Sequence, residues 1–197
     1  MEAIMDRDAS GVGAGLDRAD VADLLTLARL LSAPIMLWLV SNRSLDAAVL
    51  VVVIAWWTDF LDGRLARKAH RETRLKDWDF RADAWLASAV GLGLGLGGYF
   101  SWWVIAPLAA GALVMSVLLS NPAAVMAGIA VQYGMFLMAI HLWADLWWLA
   151  VLHVIVFLAA GWRRFWDVVW PAFWAGLAGL VSGRGRDRRL VLDDWAE

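Results

Sequence analysis

Long apolar runs alternate with short polar breaks along the chain, at a spacing that suits membrane-crossing helices better than a soluble core. After a polar leader at residues 1–19, a first helix is expected from about Asp20, running through ADLLTLARLLSAPIMLWLV from Ala22, with Arg29 well inside it. SNRS at 41–44 marks a turn. LDAAVLVVVIAWW then predicts a second span that ends at Asp59 and Asp62, and a basic linker follows. Further runs lie near 79–98 and 101–119, from Asn121 and Pro122 to the HLWAD break at 141–145, and at 146–161. Crossing the hydrocarbon core takes about 20 apolar residues. The pattern predicts an all-α membrane protein, a six-transmembrane-helix bundle over residues 20–162.

Beyond Arg163 and Arg164, FWDVVWPAFWAGLAGLV is long enough to suggest a seventh span. Trp166, Trp170 and Trp174 recur every four residues and Pro171 interrupts the run, as expected of a helix lying in the membrane interface. A crossing there would also carry GRGRDRR at 183–189 away from the basic linker, whereas positive charge collects on the cytoplasmic side. Residues 163–197 are therefore expected to form a C-terminal interfacial helix and a basic cytoplasmic tail. The linker cations Arg64, Arg67, Lys68, Arg71, Arg74 and Lys76 make the shared side cytoplasmic.

Composition sharpens this picture. A hydrophobic content of 62%, 15 Trp and a mean hydropathy of +0.64 exclude a soluble domain and make membrane lipids the surroundings. The net charge of -2 is unevenly spread, with no Lys or Arg between Ala82 and Trp162. No nucleic-acid partner is expected. The leader lacks the basic and apolar regions of a signal peptide. With no Cys, only oxygen and imidazole are left as metal ligands. Glycines at 91, 93, 95, 97 and 98 let helices approach closely, either within the chain or along the seam of a homodimer.

The candidate chemistry lies between Trp57 and Trp85. Asp59 and Asp62 are spaced i, i+3 and Asp79 and Asp83 i, i+4, so on helices each pair shares a face. Such faces turned inward form a tetracarboxylate pocket. The cost of an acid is roughly 2.5 to 3.5 kcal/mol at a helix centre in the membrane and less near an interface. Hard oxygen donors suit Mg²⁺ or Mn²⁺, and Mg²⁺ is usually shared between carboxylates and substrate phosphates. The plainer alternative, acids and bases pairing at the surface, fits a single pair better than four acids at two helix ends. His70 in the linker reads as solvated, and His141 and His153 as core or interface residues.

The order Asp59-x2-Asp62-Gly63-x2-Ala66-Arg67, then Asp79-x3-Asp83, resembles the signature of the CDP-alcohol phosphatidyltransferase family of six-span membrane enzymes. Upstream, Thr26-x2-Arg29 followed by Pro34 resembles the family's first-helix pattern, with Asp23 where Asn is usual. Two departures stand out: the interval from Ala66-Arg67 to Asp79 is one residue short, and the family's Gly is replaced by Leu75 or Lys76.

This resemblance implies phosphatidyl transfer from CDP-diacylglycerol to an alcohol at the cytoplasmic face of a bacterial cell membrane, releasing CMP. It implies Asp59, Asp62 and Asp79 as metal ligands, with Asp83 joining them or acting as general base, the latter being the family's role for it. Gly63, Ala66 and Arg67 then contact cytidine and phosphates. Arg71, Arg74, Lys76 and Arg81, with Arg29 nearby, favour a phosphorylated acceptor, glycerol 3-phosphate first and an inositol phosphate or other polyol next. The rival classes are a divalent-cation transporter, which needs acids near the midplane or on both sides, and a decayed membrane scaffold.

Overall fold

The computed structural model describes residues 17–67, 74–114 and 122–181, with helix as the regular structure throughout. Helix α1 spans Arg18–Ser41, α2 Leu45–Arg67, α3 Lys76–Leu96, α4 Trp102–Val114, α5 Pro122–Trp143 and α6 Trp147–Arg164. A π-helical stretch, Phe165–Val169, joins α6 to α7, Trp170–Val181. The leader before Asp17, linker residues 68–73 and the tail after Val181, including GRGRDRR, lie outside the described residues.

The ends of α1 follow from its sequence. Asp17 caps the start, accepting the Arg18 N–H at 2.6 Å, and Asp20 complements the helix dipole in the first turn. At the other end Arg43 N–H donates to Val40 O and Ser44 N–H to Leu39 O, the paired bonds of a Schellman motif. Arg43 occupies the left-handed position at φ 60, which usually falls to Gly. Its Nε donates to Gly97 O at 2.9 Å, so the strained residue also ties α1 to the end of α3.

Two expected boundaries move. Helix α2 continues past Asp59 and Asp62 to Arg67, because LDGRLAR is made of good helix formers and one Gly costs only about 1 kcal/mol. Helix α3 begins at Lys76 rather than near Asp79, for a reason that belongs to the site.

Helices α1 and α3 run parallel in a fixed register: Arg29 with Asp83 and Arg43 with Gly97 are both 54 residues apart. The glycines of α3 make this approach possible. A Cβ on Gly97 would lie 2.7 Å from Val40 O, and one on Gly93 2.8 Å from Val40 Cβ. Gly91 instead faces Gln132 of α5, and Gly95 faces Ile105 and Trp102 of α4. These four glycines serve packing within the chain, against three different neighbours.

The buried core joins α1, α2, α3 and α5 through Met36, Val49, Val52, Leu86, Val90 and Phe136. Outward, α1 presents Leu24, Leu27, Leu31, Ile35 and Trp38, while Thr26 and Arg29 are buried. Large apolar side chains outside and polar ones inside are what a lipid-facing helix requires. By length and composition α1 and residues 125–143 of α5 are each able to cross a membrane. Helix α6 and residues 165–175 qualify only as a pair bent by 73°. These two to three apolar helices are compatible with an integral membrane protein. The expected six crossings are not reached on that count: α2 and α3 carry the acids and bases of the candidate site, and the described part of α4 is 13 residues long.

The bend turns α7 away from the axis of α6. Along it Trp162, Trp166, Trp170 and Trp174 follow one another edge to face, with centroids 5.6, 5.7 and 5.6 Å apart, and all four are exposed. Indoles four apart on an α-helix drift sideways, and the wider π turn restores their alignment.

Candidate active site

At the end of the bundle where α1 and α3 begin and α2 finishes, Arg29 draws two of the four acids together. Its side chain is 1% exposed, and Nη1 lies 2.8 Å from Asp59 Oδ1 and 2.8 Å from Asp83 Oδ1. The two carboxylate oxygens therefore stand no farther apart than twice that length. Asp59 and Asp83 remain 37% and 34% exposed, so both are partly accessible from outside the bundle. Burial of a guanidinium is tolerated because both contacts are charge-assisted hydrogen bonds.

Asp62 lies one turn beyond Asp59 towards the end of α2, and Asp79 one turn before Asp83 towards the start of α3. By backbone register the four acids form two tiers, with Asp59 and Asp83 deeper and Asp62 and Asp79 nearer the linker. The side chains of Asp62, Asp79, Ala66 and Arg67 are outside those described, as are the surroundings of Gly63; all five positions lie on the described helices. Among the described residues no three acids or histidines converge as a ready metal site. The donor chemistry nevertheless fits Mg²⁺ or Mn²⁺: two carboxylates meet at one point, both partly open, with no thiolate in the chain.

The start of α3 is held from α1. The Asp23 carboxylate accepts the Leu75 N–H at 2.9 Å and the Arg74 N–H at 3.1 Å. Leu75 caps α3 with φ -100 and ψ 16, which any L-residue adopts. The backbone here does not require the Gly expected from the family pattern. Sequence reasoning noted Asp23 only as a departure. The signal that could have revealed it is an acid near the start of one apolar run, facing the unsatisfied N–H groups at the start of another.

The cations occupy different places. Arg29 is committed to the carboxylates, whereas Arg74 is exposed at the mouth. The Arg64 guanidinium lies 4.4 Å from the Phe60 ring centre and that of Arg81 5.3 Å from the Trp78 ring centre. Arg71 and His70 lie outside the described residues. His153 is buried between α2 and α6, 5.1 Å from Trp56 and 5.4 Å from Trp57 between ring centres. His141 packs edge-on against Trp147 at the opposite end.

That opposite end is structural. Asp46 accepts the Leu146 N–H at 2.8 Å, and Tyr99 packs against Trp143 beside Arg43. Burial raises the Tyr99 phenol above its usual range, opposed in part by Arg43. The described acids are thus gathered at one end, with Asp46 and Asp145 at the other acting as a tie and a turn residue.

A family model described as CDP-alcohol phosphatidyltransferase matches residues 19–179. No curated protein and no solved structure matches the chain. The match spans every described helix from α1 into α7 and contains the Arg29, Asp59 and Asp83 cluster. The chain belongs to the CDP-alcohol phosphatidyltransferase family, enzymes that transfer a phosphatidyl group from a CDP-alcohol to an acceptor.

Proposed function

We propose that this enzyme uses CDP-diacylglycerol and glycerol 3-phosphate, releasing CMP at the cytoplasmic face of a cell membrane crossed six times by α1–α6, with α7 in the interface. The observation that carries the reading is the Arg29 clamp, which brings Asp59 and Asp83 together inside the family's motif. Asp59, Asp62 and Asp79 would hold Mg²⁺ or Mn²⁺, which would supply positive charge against the pyrophosphate and the departing CMP, leaving Asp83 as the base. Gly63, Ala66 and Arg67, on the last turns of α2, contact the cytidine and phosphates.

The acceptor hydroxyl oxygen bonds to the phosphatidyl phosphorus, the bond from that phosphorus to CMP breaks, and the hydroxyl proton passes to Asp83. Partial exposure of Asp83 is compatible with this, provided the hydroxyl comes within hydrogen-bond reach directly or through one water. Arg29 holds the Asp83 carboxylate in place. Since Arg29 is engaged, the acceptor phosphate falls to Arg74 and Arg81 with their neighbours in the linker. The diacyl tails remain in the bilayer, where the outward apolar faces of the helices meet them.

CMP release from CDP-diacylglycerol, measured with purified protein against glycerol 3-phosphate, an inositol phosphate, free inositol and serine, tests this assignment. Glycerol 3-phosphate is expected to give the highest kcat/KM. Arg74→Ala is expected to raise its KM on the order of tenfold, the loss of one charge-assisted phosphate contact, and to change the KM for CDP-diacylglycerol far less. A preference for a phosphate-free alcohol overturns the acceptor assignment. A cation transporter would instead move divalent ions across vesicles without releasing CMP, and the gathering of acids at one end speaks against it.

A further inference from the structure

Asp23 is placed to do more than end a loop. It sits six residues before Arg29 on α1, and both of its oxygens are used: Oδ1 accepts from Leu75 N–H and Oδ2 from Arg74 N–H. The Leu75 amide belongs to the cap of α3 and that of Arg74 to the turn before it, and the first N–H groups of a helix, the cap's included, have no partner within it. The cap residue itself, Leu75, makes no side-chain capping bond. Helix α1 therefore grips α3 twice, at the backbone through Asp23 and at Asp83 through Arg29. Between the two grips the axial position and rotation of the first two turns of α3 are fixed.

We propose that Asp23 is a positioning residue for the reaction, a staple that sets where α3 begins and so holds Asp83, and by register Asp79, against Asp59 across Arg29. This rests on the reading of Asp83 as the base. It accounts for two features of the sequence together. A linker one residue short still delivers α3 in register, because the start of the helix is fixed by α1 rather than by linker length. Leu75 stands where Gly is expected because the turn is held by hydrogen bonds from outside and adopts an ordinary backbone conformation.

The test compares Asp23→Ala, Asp23→Asn and Asp46→Ala in the full-length protein in lipid nanodiscs. Asp46→Ala removes a cap of the same kind, on Leu146, at the opposite end. Two readouts are taken: amide hydrogen exchange of the peptide covering Arg74 and Leu75, and steady-state kcat and KM. Asp23→Ala is expected to speed exchange at residues 74–75 by about tenfold, as for loss of a charge-assisted bond. Its kcat is expected to fall on the order of tenfold to a hundredfold, as for a reacting group displaced by an ångström, with the KM for CDP-diacylglycerol nearly unchanged. Asp23→Asn, which keeps one accepting oxygen in place of two, is expected to recover part of both losses, and Asp46→Ala to leave kcat as in the parent.

Faster exchange with normal kcat in Asp23→Ala overturns the positioning role. So does a large rise in KM, which would mean that Asp23 touches substrate, or an Asp23→Asn that keeps slow exchange but loses kcat, which would mean that its charge is what matters. If the parent transfers phosphatidyl groups to a different acceptor, the exchange and kcat comparisons still decide this proposal. If Asp83→Asn retains full kcat while Asp23→Ala loses it, the assigned base is wrong and the staple stands.

Discussion

Arg29 is the residue on which the site turns. A guanidinium placed mid-helix in a lipid-facing helix needs partners, and here it takes one carboxylate from α2 and one from α3. Its inward placement was legible, because an Arg among nineteen largely apolar residues has few other places to go. The partners were not, since a contact across 54 residues leaves no trace in local periodicity. Breaking a buried pair costs about 3–5 kcal/mol, and partial exposure of both acids puts this site at the low end. Arg29→Gln is accordingly expected to lower the thermal midpoint by several degrees and abolish CMP release. Arg29→Lys, which keeps the charge but not the planar fork, should recover stability more than activity. Equal thermal midpoints for the parent and Arg29→Gln, read by intrinsic Trp fluorescence, would remove the clamp from the account.

At the scale of elements, the site depends on how closely α3 can approach α1. The glycine-rich run signalled close packing in the sequence, but not which neighbour each glycine meets. The answer differs along one helix because successive glycines face α5, α1, α4 and α1 again. Gly97→Ala drives a methyl group into the Val40 carbonyl and the Tyr99 ring, neither of which yields easily. Overpacking of this kind costs about 1–3 kcal/mol, so a clear drop in thermal midpoint is expected. Gly91→Ala meets only the Gln132 side chain, at ordinary contact distance, and should be close to neutral. The reverse order of stabilities would show that α1 and α3 are not packed in this register. The extension of α2 to Arg67 was missed for the opposite reason: charged residues and one Gly signal a linker, yet most of them are good helix formers.

For the whole molecule, the all-helical, apolar character was legible from hydropathy, whereas two to three helices qualify as crossings by length and composition. Function places charge where a span would otherwise be apolar. Six crossings and a cytoplasmic site predict that the turn after α1 and the linker after α2 face opposite sides. The chain has no Cys, so single substitutions label without background. Thr73→Cys should react with an impermeant maleimide only from the cytoplasmic side, and Ser44→Cys only from the other. Labelling of both from one side would refute the topology.

The central claim is that the acids joined by Arg29 perform phosphatidyl transfer, with Asp83 taking the proton. The most direct measurement is CMP release from CDP-diacylglycerol by Asp83→Asn, followed alongside thermal stabilisation of the same protein by a CDP-containing ligand. The account predicts a fall in turnover of roughly 100-fold or more, the usual worth of a general base, with stabilisation largely retained. Near-normal turnover in Asp83→Asn would contradict it.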